Sequence, residues 1–243
     1  MSLVRDIILT FPQELAVWAM QHCISHAALH DLLSVLRSHM QDRLLPACPR
    51  TLLKTPRKAN IHQLGEGKLC HIGILPWIQQ NLSCYRPDIQ TLVLQVNIDG
   101  LPLFKSSQKE FWPILGRLPD FLQSRPFPIS VYCGCEKPPV QEFLGLFVQE
   151  ALGLYEHGIQ IGERKYKFEI SAVICDRPAK SYVKCIKGYS GYYSCERCCQ
   201  SGEYYEGRII FPSFDGMPRT DGSFRQQTDE EHHIGISPFT DLP

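Results

Sequence analysis

Residues 91–105 read T-L-V-L-Q-V-N-I-D-G-L-P-L-F-K. Val93, Leu94, Val96 and Ile98 form a short apolar run rich in β-branched side chains, and Gly100 and Pro102 close it. Length and composition predict a buried strand. Asp99 stands at its C-terminal end, where the pattern calls for another Val or Ile. A carboxylate at the mouth of a buried strand is either a turn cap or part of a site.

The residues downstream put this strand in a context. After a polar connection at 104–108, residues 111–118 and 126–134 predict two more strands, the latter ended by Gly134 and the Lys137-Pro138-Pro139 break. Val140 to about His157 carries Phe143, Leu144, Phe147, Val148, Ala151, Leu152 and Tyr155 on one helical stripe, and Gly158 stops it. Tyr166, Phe168, Ile170, Ala172 and Ile174 alternate up to Asp176, a further strand, and Pro178 opens a helix expected to include Ala179, Tyr182, Val183 and Ile186. The order from residue 91 is strand, strand, strand, helix, strand, helix. In a ribonuclease-H-like fold that order seats the first strand mid-sheet beside the fourth. Asp99 and Asp176 would then meet at one edge.

Two such acids can hold Mg²⁺ or Mn²⁺ through hard oxygen ligands, and a metal pair about 4 Å apart can activate a nucleophile and stabilise a leaving oxygen at a phosphodiester. Most such sites need three acids. Each Asp also has an ordinary reading: Asp99-Gly100 is a turn-forming pair, and Asp176 before Arg177-Pro178 is a good helix N-cap.

Of the eleven cysteines, Cys23, Cys84, Cys133 and Cys175 read as small buried apolar residues. Cys195-Glu-Arg-Cys198 has metal-knuckle spacing, and His232-His233 follow a turn-rich stretch with little core of its own, which a structural Zn²⁺ would stabilise. Cys195 and Cys198 are the best-supported ligands, then one of His232 or His233. The fourth is open among Cys185, Cys199 and the other histidine. A redox role has less support, since no thioredoxin-like pattern surrounds the pair.

Upstream, Leu15, Ala16, Trp18 and Ala19 predict a helix from Phe11-Pro12 to about Cys23, and Ser25 caps a second through about Met40. This hairpin reads as a packing element; its second helix lacks the exposed basic and amide side chains of a DNA-recognition helix. Residues 46–56 read as linker, residues 53–58 are locally basic, residues 64–68 are a Gly-containing turn without phosphate-loop spacing, and a short helix is expected within 72–82. Lys+Arg and Asp+Glu are 25 each, so no whole-chain basic field exists and any nucleic-acid contact must be local. No apolar run is long enough to span a membrane, and the N-terminus lacks the parts of a signal peptide. An odd cysteine count without a secretion signal argues against a disulfide framework and for the cell interior, nuclear or cytoplasmic.

The segment Asn97-Ile98-Asp99-Gly100-Leu101-Pro102-Leu103-Phe104-Lys105-Ser106-Ser107 followed by Phe111-Trp112-Pro113-Ile114 resembles the first catalytic block of transposase-derived proteins related to the CACTA (En/Spm-type) DDE transposases. The stretches 174–180 and 188–198, and Glu231-His232-His233, resemble it too. The resemblance implies an α/β (α+β) architecture: a helical segment and linker over 1–60, a partial ribonuclease-H-like core over 61–188, and a Cys/His zinc-stabilised insertion over 189–243. Asp99 and Asp176 would be the first two metal-binding acids, with Mg²⁺ or Mn²⁺ as cofactor, DNA as the ancestral partner and a homo-oligomer as an open option. The third acid of such proteins follows the insertion on a helix, and the chain is expected to stop short of it. Glu203, Glu206, Glu230 and Glu231 are poor substitutes, and Tyr189 stands where relatives often carry His. The implied function is a partial or domesticated DDE transposase-like protein, descended from a DNA strand-cleavage and transfer enzyme and inactive as this chain. The alternative is a non-enzymatic, zinc-stabilised DNA- or protein-binding module.

Overall fold

The strand read at residue 91 is present as Thr91–Ile98, with Leu92, Leu94, Val96 and Ile98 buried and the intervening residues half-buried. This computed structural model describes residues 10–22, 24–39, 45–55, 59–81, 89–104, 108–121, 125–213 and 216–243. Readings that rest on Cys23, Met40, residues 56–58, Leu82, Cys84 and residues 105–107 lie outside those. The chain forms two compact units, Met1–Ala59 and Asn60–Pro243.

The first unit holds α1 (Phe11–Gln21), α2 (His26–His39) and the short α3 (Pro49–Leu52). The Gln13 side chain reaches back to the Thr10 N–H at 2.8 Å and Ser25 Oγ accepts from the Ala28 N–H at 3.2 Å, so both long helices begin on side-chain caps. Ala16, Ala19, Leu29, Leu33, Leu45 and Leu52 close a small core. The stretch read as plain linker therefore contains a helical turn that buries Leu52, because Pro49 pre-sets the first helical position.

The second unit is built on a mixed sheet. Its elements are β1 (Ile61–Leu64), β2 (Gly67–His71), α4 (Leu75–Asn81), β3 (Thr91–Ile98), β4 (Leu101–Pro102), β5 (Glu110–Arg117), β6 (Phe127–Gly134), α5 (Val140–His157), β7 (Ile159–Ile161), β8 (Arg164–Ile174) and α6 (Arg177–Val183). The strand order is β1-β2-β6-β5-β3-β8-β7, with β4 pairing β5 off that path. The first of the predicted strands, β3, does lie between β5 (antiparallel) and β8 (parallel). Helix α5 buries Phe143, Leu144, Phe147, Val148, Ala151 and Leu154 against the sheet.

The turn read at 64–68 is present and joins β1 to β2 as a hairpin, with Gly65 at φ +54°. Other expectations are corrected. The helix expected within 72–82 starts at Leu75, because the Ile72 and Gly73 N–H groups bond the Ile129 carbonyl instead of entering a helix. Ile129 is the extra residue of a bulge between β5 and β6, which frees that carbonyl. Helix α6 ends at Val183: Cys185 takes φ +51°, and Ile186 leaves the helix to bridge His233. Cys133 and Cys175 are half-buried rather than core residues.

The C-terminal stretch carries β9 (Glu203–Tyr205), β10 (Arg208–Ile210) and α7 (Asp221–Arg225). It closes on the main core through Leu242 and Phe239, the latter edge-on to Phe147 at 6.4 Å.

Candidate functional site

The two aspartates reach one cleft by a specific irregularity of β8. Leu94 pairs Ile170, but Gln95 pairs Ala172, so Ser171 is an extra residue on β8. The Ser171 hydroxyl holds the bulge through the Leu94 carbonyl at 3.5 Å. Beyond it Asn97 pairs Ile174, and the Asn97 amide donates to the Ile174 carbonyl at 3.1 Å. Continuing this register sets Asp99 level with Asp176 on strands roughly 4.8 Å apart. Strict alternation would have left Ile174 on the buried face with Tyr166 and Phe168; after the bulge it is 51% exposed.

Asp99 and Asp176 line a cavity of about 240 Å³ together with Glu110, Trp112 and Lys137. Each aspartate commits one oxygen locally: Asp99 Oδ1 accepts from the Gly100 N–H at 2.8 Å, and Asp176 Oδ1 caps α6 through the Ala179 N–H at 2.7 Å. Both ordinary roles read from the sequence are therefore real, and each leaves a second carboxylate oxygen for other use. Gly100 is required here for closeness: a Cβ would sit 2.4 Å from the Trp112 ring. Trp112 donates its indole N–H to Glu110 Oε2 at 2.7 Å, and Lys137 Nζ lies over the ring at 5.8 Å. Glu110 at this cleft was missed by sequence reasoning, because nothing local marks it; the β4–β5 pairing of Pro102 with Glu110 brings it there.

Beside the cleft, Cys175 is pushed up to about 11 by burial, which outweighs a hydrogen bond from the Ile98 backbone N–H, so it stays a thiol at neutral pH.

Cys195 and Cys198 form a knuckle with sulfurs 3.4 Å apart. Burial pushes the Cys195 thiol up, but the N–H groups of Arg197 and Cys198 outweigh it and hold it below its ordinary value. Two thiolates on one zinc stand roughly 3.8 Å apart for Zn–S near 2.3 Å, so the knuckle fits such an ion. The Cys198–Pro218 bridge and the Arg219 N–H to the Arg197 carbonyl (2.8 Å) close it from behind. Tyr189 is 54% exposed under the Arg177 guanidinium, 5.9 Å from its centroid.

His232 is buried and His233 half-buried, and their rings stand perpendicular with centroids 5.3 Å apart. The expected single centre of Cys195, Cys198, His232 and His233 is not assembled: among the described residues no three His, Cys, Asp or Glu side chains converge on a metal position. The knuckle is closed by residues 216–219, whereas the histidines are held by Tyr193 and Ile186. Cys185, one option for a fourth ligand, is a buried thiol pushed up by burial.

A third polar constellation has the order of a hydrolase relay. His71 Nδ1 lies 2.6 Å from Ser130 Oγ, and His71 Nε2 lies 3.3 Å from Glu150 Oε2. It is structural: Ser130 is fully buried, and Glu150 spends its oxygens on the Ile74 and Leu75 N–H groups at 2.8–3.0 Å, at the start of α4. Burial pushes the Glu150 carboxyl up, but hydrogen bonds from His71, Leu75 and Ile74 outweigh it and hold it below its ordinary 4.5. Glu150→Gln is expected to cost about 1–3 kcal/mol in urea unfolding. The depressed carboxyl contributes its stability fully above the unfolded value near 4.5 and loses it as pH falls through the lower folded one. The gap between wild type and Glu150→Gln should therefore close in acid.

No protein-family model and no curated protein sequence matches the chain significantly. No helix among the described residues is long and apolar enough to cross a membrane.

Proposed function

We propose that the Asp99/Asp176 cleft is the acid pair of a DDE-type phosphodiester site, retained in a transposase-like protein that does not itself cut or join DNA. The observation that carries this is the level placement of the two aspartates at adjacent ends of parallel β3 and β8. In the strand order β6-β5-β3-β8, β6, β5 and β3 are antiparallel neighbours and β8 runs parallel to β3, which fits the ribonuclease-H-like core expected from the sequence and supports the same reading. Asp99 and Asp176 would hold Mg²⁺ or Mn²⁺ through the oxygens left free by their local bonds. The ion would polarise a phosphoryl oxygen and sharpen a hydroxyl nucleophile. Glu110 borders the cleft, but its Oε2 accepts the Trp112 indole N–H, and no three acids converge among the described residues. Such a half-site binds metal weakly.

The test is Mn²⁺ titration followed by electron paramagnetic resonance, with a parallel assay on labelled duplex DNA. Weak binding that disappears in Asp99→Asn, with no nicking above background, is expected. Binding unaffected by Asp99→Asn would remove the acid-pair reading. Robust cleavage abolished by Asp99→Ala would remove the inactive one.

The geometry of Cys195 and Cys198 favours a second element of the reading: a zinc ion on the knuckle that stabilises residues 189–243, as in a metal-stapled binding module.

A further inference from the structure

His232 Nδ1 lies 2.6 Å from the Tyr193 carbonyl oxygen. A carbonyl only accepts, so Nδ1 carries the proton, and the neutral ring presents a bare lone pair at Nε2. That atom is buried and has no hydrogen-bond partner, in a side chain only 1% exposed. His233 Nδ1 is in the same condition. An unsatisfied buried polar atom costs free energy, so two on consecutive residues ask for a ligand.

Both histidines line a cavity of about 470 Å³ that shares no lining residue with the acid cleft. Its wall carries Lys180, Lys184 and Arg219 against Glu196 and Asp221, and two of the cations are neutralised: Lys180 pairs with Glu196 at 3.2 Å, and Arg219 with Asp229, outside the lining, at 2.7 Å. Lys184 rides over the Phe224 ring at 5.0 Å. Two lone pairs on neutral imidazoles accept; they do not attract an anion by themselves. A backbone carbonyl holding the remote N–H is the usual second partner of a metal-bound histidine.

The ring geometry agrees. With Zn–N near 2.0–2.1 Å, two imidazoles on one tetrahedral ion have centroids roughly 5 Å apart. The rings stand 5.3 Å apart at 90°.

We propose that His232 Nε2 and His233 Nδ1 form a divalent transition-metal site of the zinc class in this cavity, separate from the Cys195/Cys198 knuckle. The described residues supply no third protein ligand, so the remaining positions face the cavity and take water or a small anion, with Lys184 beside them. This differs from a closed structural centre, whose four positions are all protein. It rests on neither the acid cleft nor occupancy of the knuckle.

The test is Co²⁺ titration of the chelator-stripped full chain, read by visible absorption, with circular dichroism confirming the fold of each variant. The Cys195→Ser/Cys198→Ser double variant is expected to keep one Co²⁺ per chain without a sulfur-to-metal charge-transfer band. Adding His233→Gln should weaken that Co²⁺ by more than about tenfold. His233 is preferred to the more deeply buried His232 so that folding survives. If the double cysteine variant takes up no Co²⁺, the histidines belong to a joint centre with the knuckle or hold nothing, and the proposal fails. Unchanged affinity in His233→Gln overturns it equally.

Discussion

Phe143→Ala should lower stability by about 3–5 kcal/mol, the largest effect of any single substitution discussed for this chain. Phe143 is fully buried, and three aromatic rings meet it: Trp112 and Tyr132 edge-on at 6.4 Å, and Tyr182 tilted at 6.5 Å. None of these rings can swing in to fill the space. Trp112 is held by Glu110 and abuts Gly100, and Tyr182 donates its hydroxyl to the Pro138 carbonyl at 2.5 Å. The cavity left behind should therefore persist, which places the cost toward the upper end. Because Trp112 is also a wall of the acid cleft, the variant should change tryptophan fluorescence and weaken the Mn²⁺ binding proposed for Asp99 and Asp176 without touching either acid. Urea unfolding checks the first effect, and Gln149→Ala, exposed on the same helix, should stay within about 0.5 kcal/mol of wild type.

Arg219→Ala is expected to loosen residues 189–243 as a block. The guanidinium is only 10% exposed and makes two directed bonds: to Asp229 Oδ2 at 2.7 Å and from Nε to the Cys195 carbonyl at 2.9 Å. It thereby joins the cysteine knuckle to the turn whose Asp229 carbonyl accepts the His232 N–H at 3.0 Å. Removing it leaves Asp229, 18% exposed, without its cation. A loss of about 2–3 kcal/mol follows, below the ~3–5 of a fully buried pair because Asp229 keeps some contact with water. Arg219→Lys should recover only part, since an ammonium cannot serve both acceptors with the same fork. Hydrogen exchange should localise the loss to residues 189–243.

The pH dependence has a definite sign. Burial pushes the Asp229 carboxyl up, but Arg219 outweighs it and the net shift is below the ordinary 3.8. The pair's contribution is complete above that value and fades as pH falls through the lower folded one, so wild type and Arg219→Ala should converge in strong acid.

Much of the frame was legible because it is written in local periodicity. The alternation in β3 and the stripe on α5 each need only their own side chains to declare a buried face. Asp99 and Asp176 were visible for the same reason: each interrupts or ends an apolar pattern. The β1/β2 hairpin escaped notice because β1 is almost wholly exposed and carries no alternation. The true start of α4 was hidden because it depends on the Ile129 carbonyl, more than fifty residues away. His71, Ser130 and Glu150 are unremarkable in sequence and acquire meaning only as partners across β2, β6 and α5.

The amino-acid sequence by itself determined that β3 is a buried strand ending in an acid, that a second acid ends a later strand, and that two cysteines form a knuckle. Tertiary structure alone decided whether these features meet. The Ser171 bulge advances β8 by one residue and sets Asp176 level with Asp99; an unbroken ladder would have set Cys175 there. The knuckle and the histidine pair, close in any sequence argument about zinc, are anchored to different partners and do not converge. The reason is the same in both cases. Side-chain period belongs to one strand, whereas register and proximity belong to a pair, and a one-residue slip between partners leaves no mark on the pattern of either.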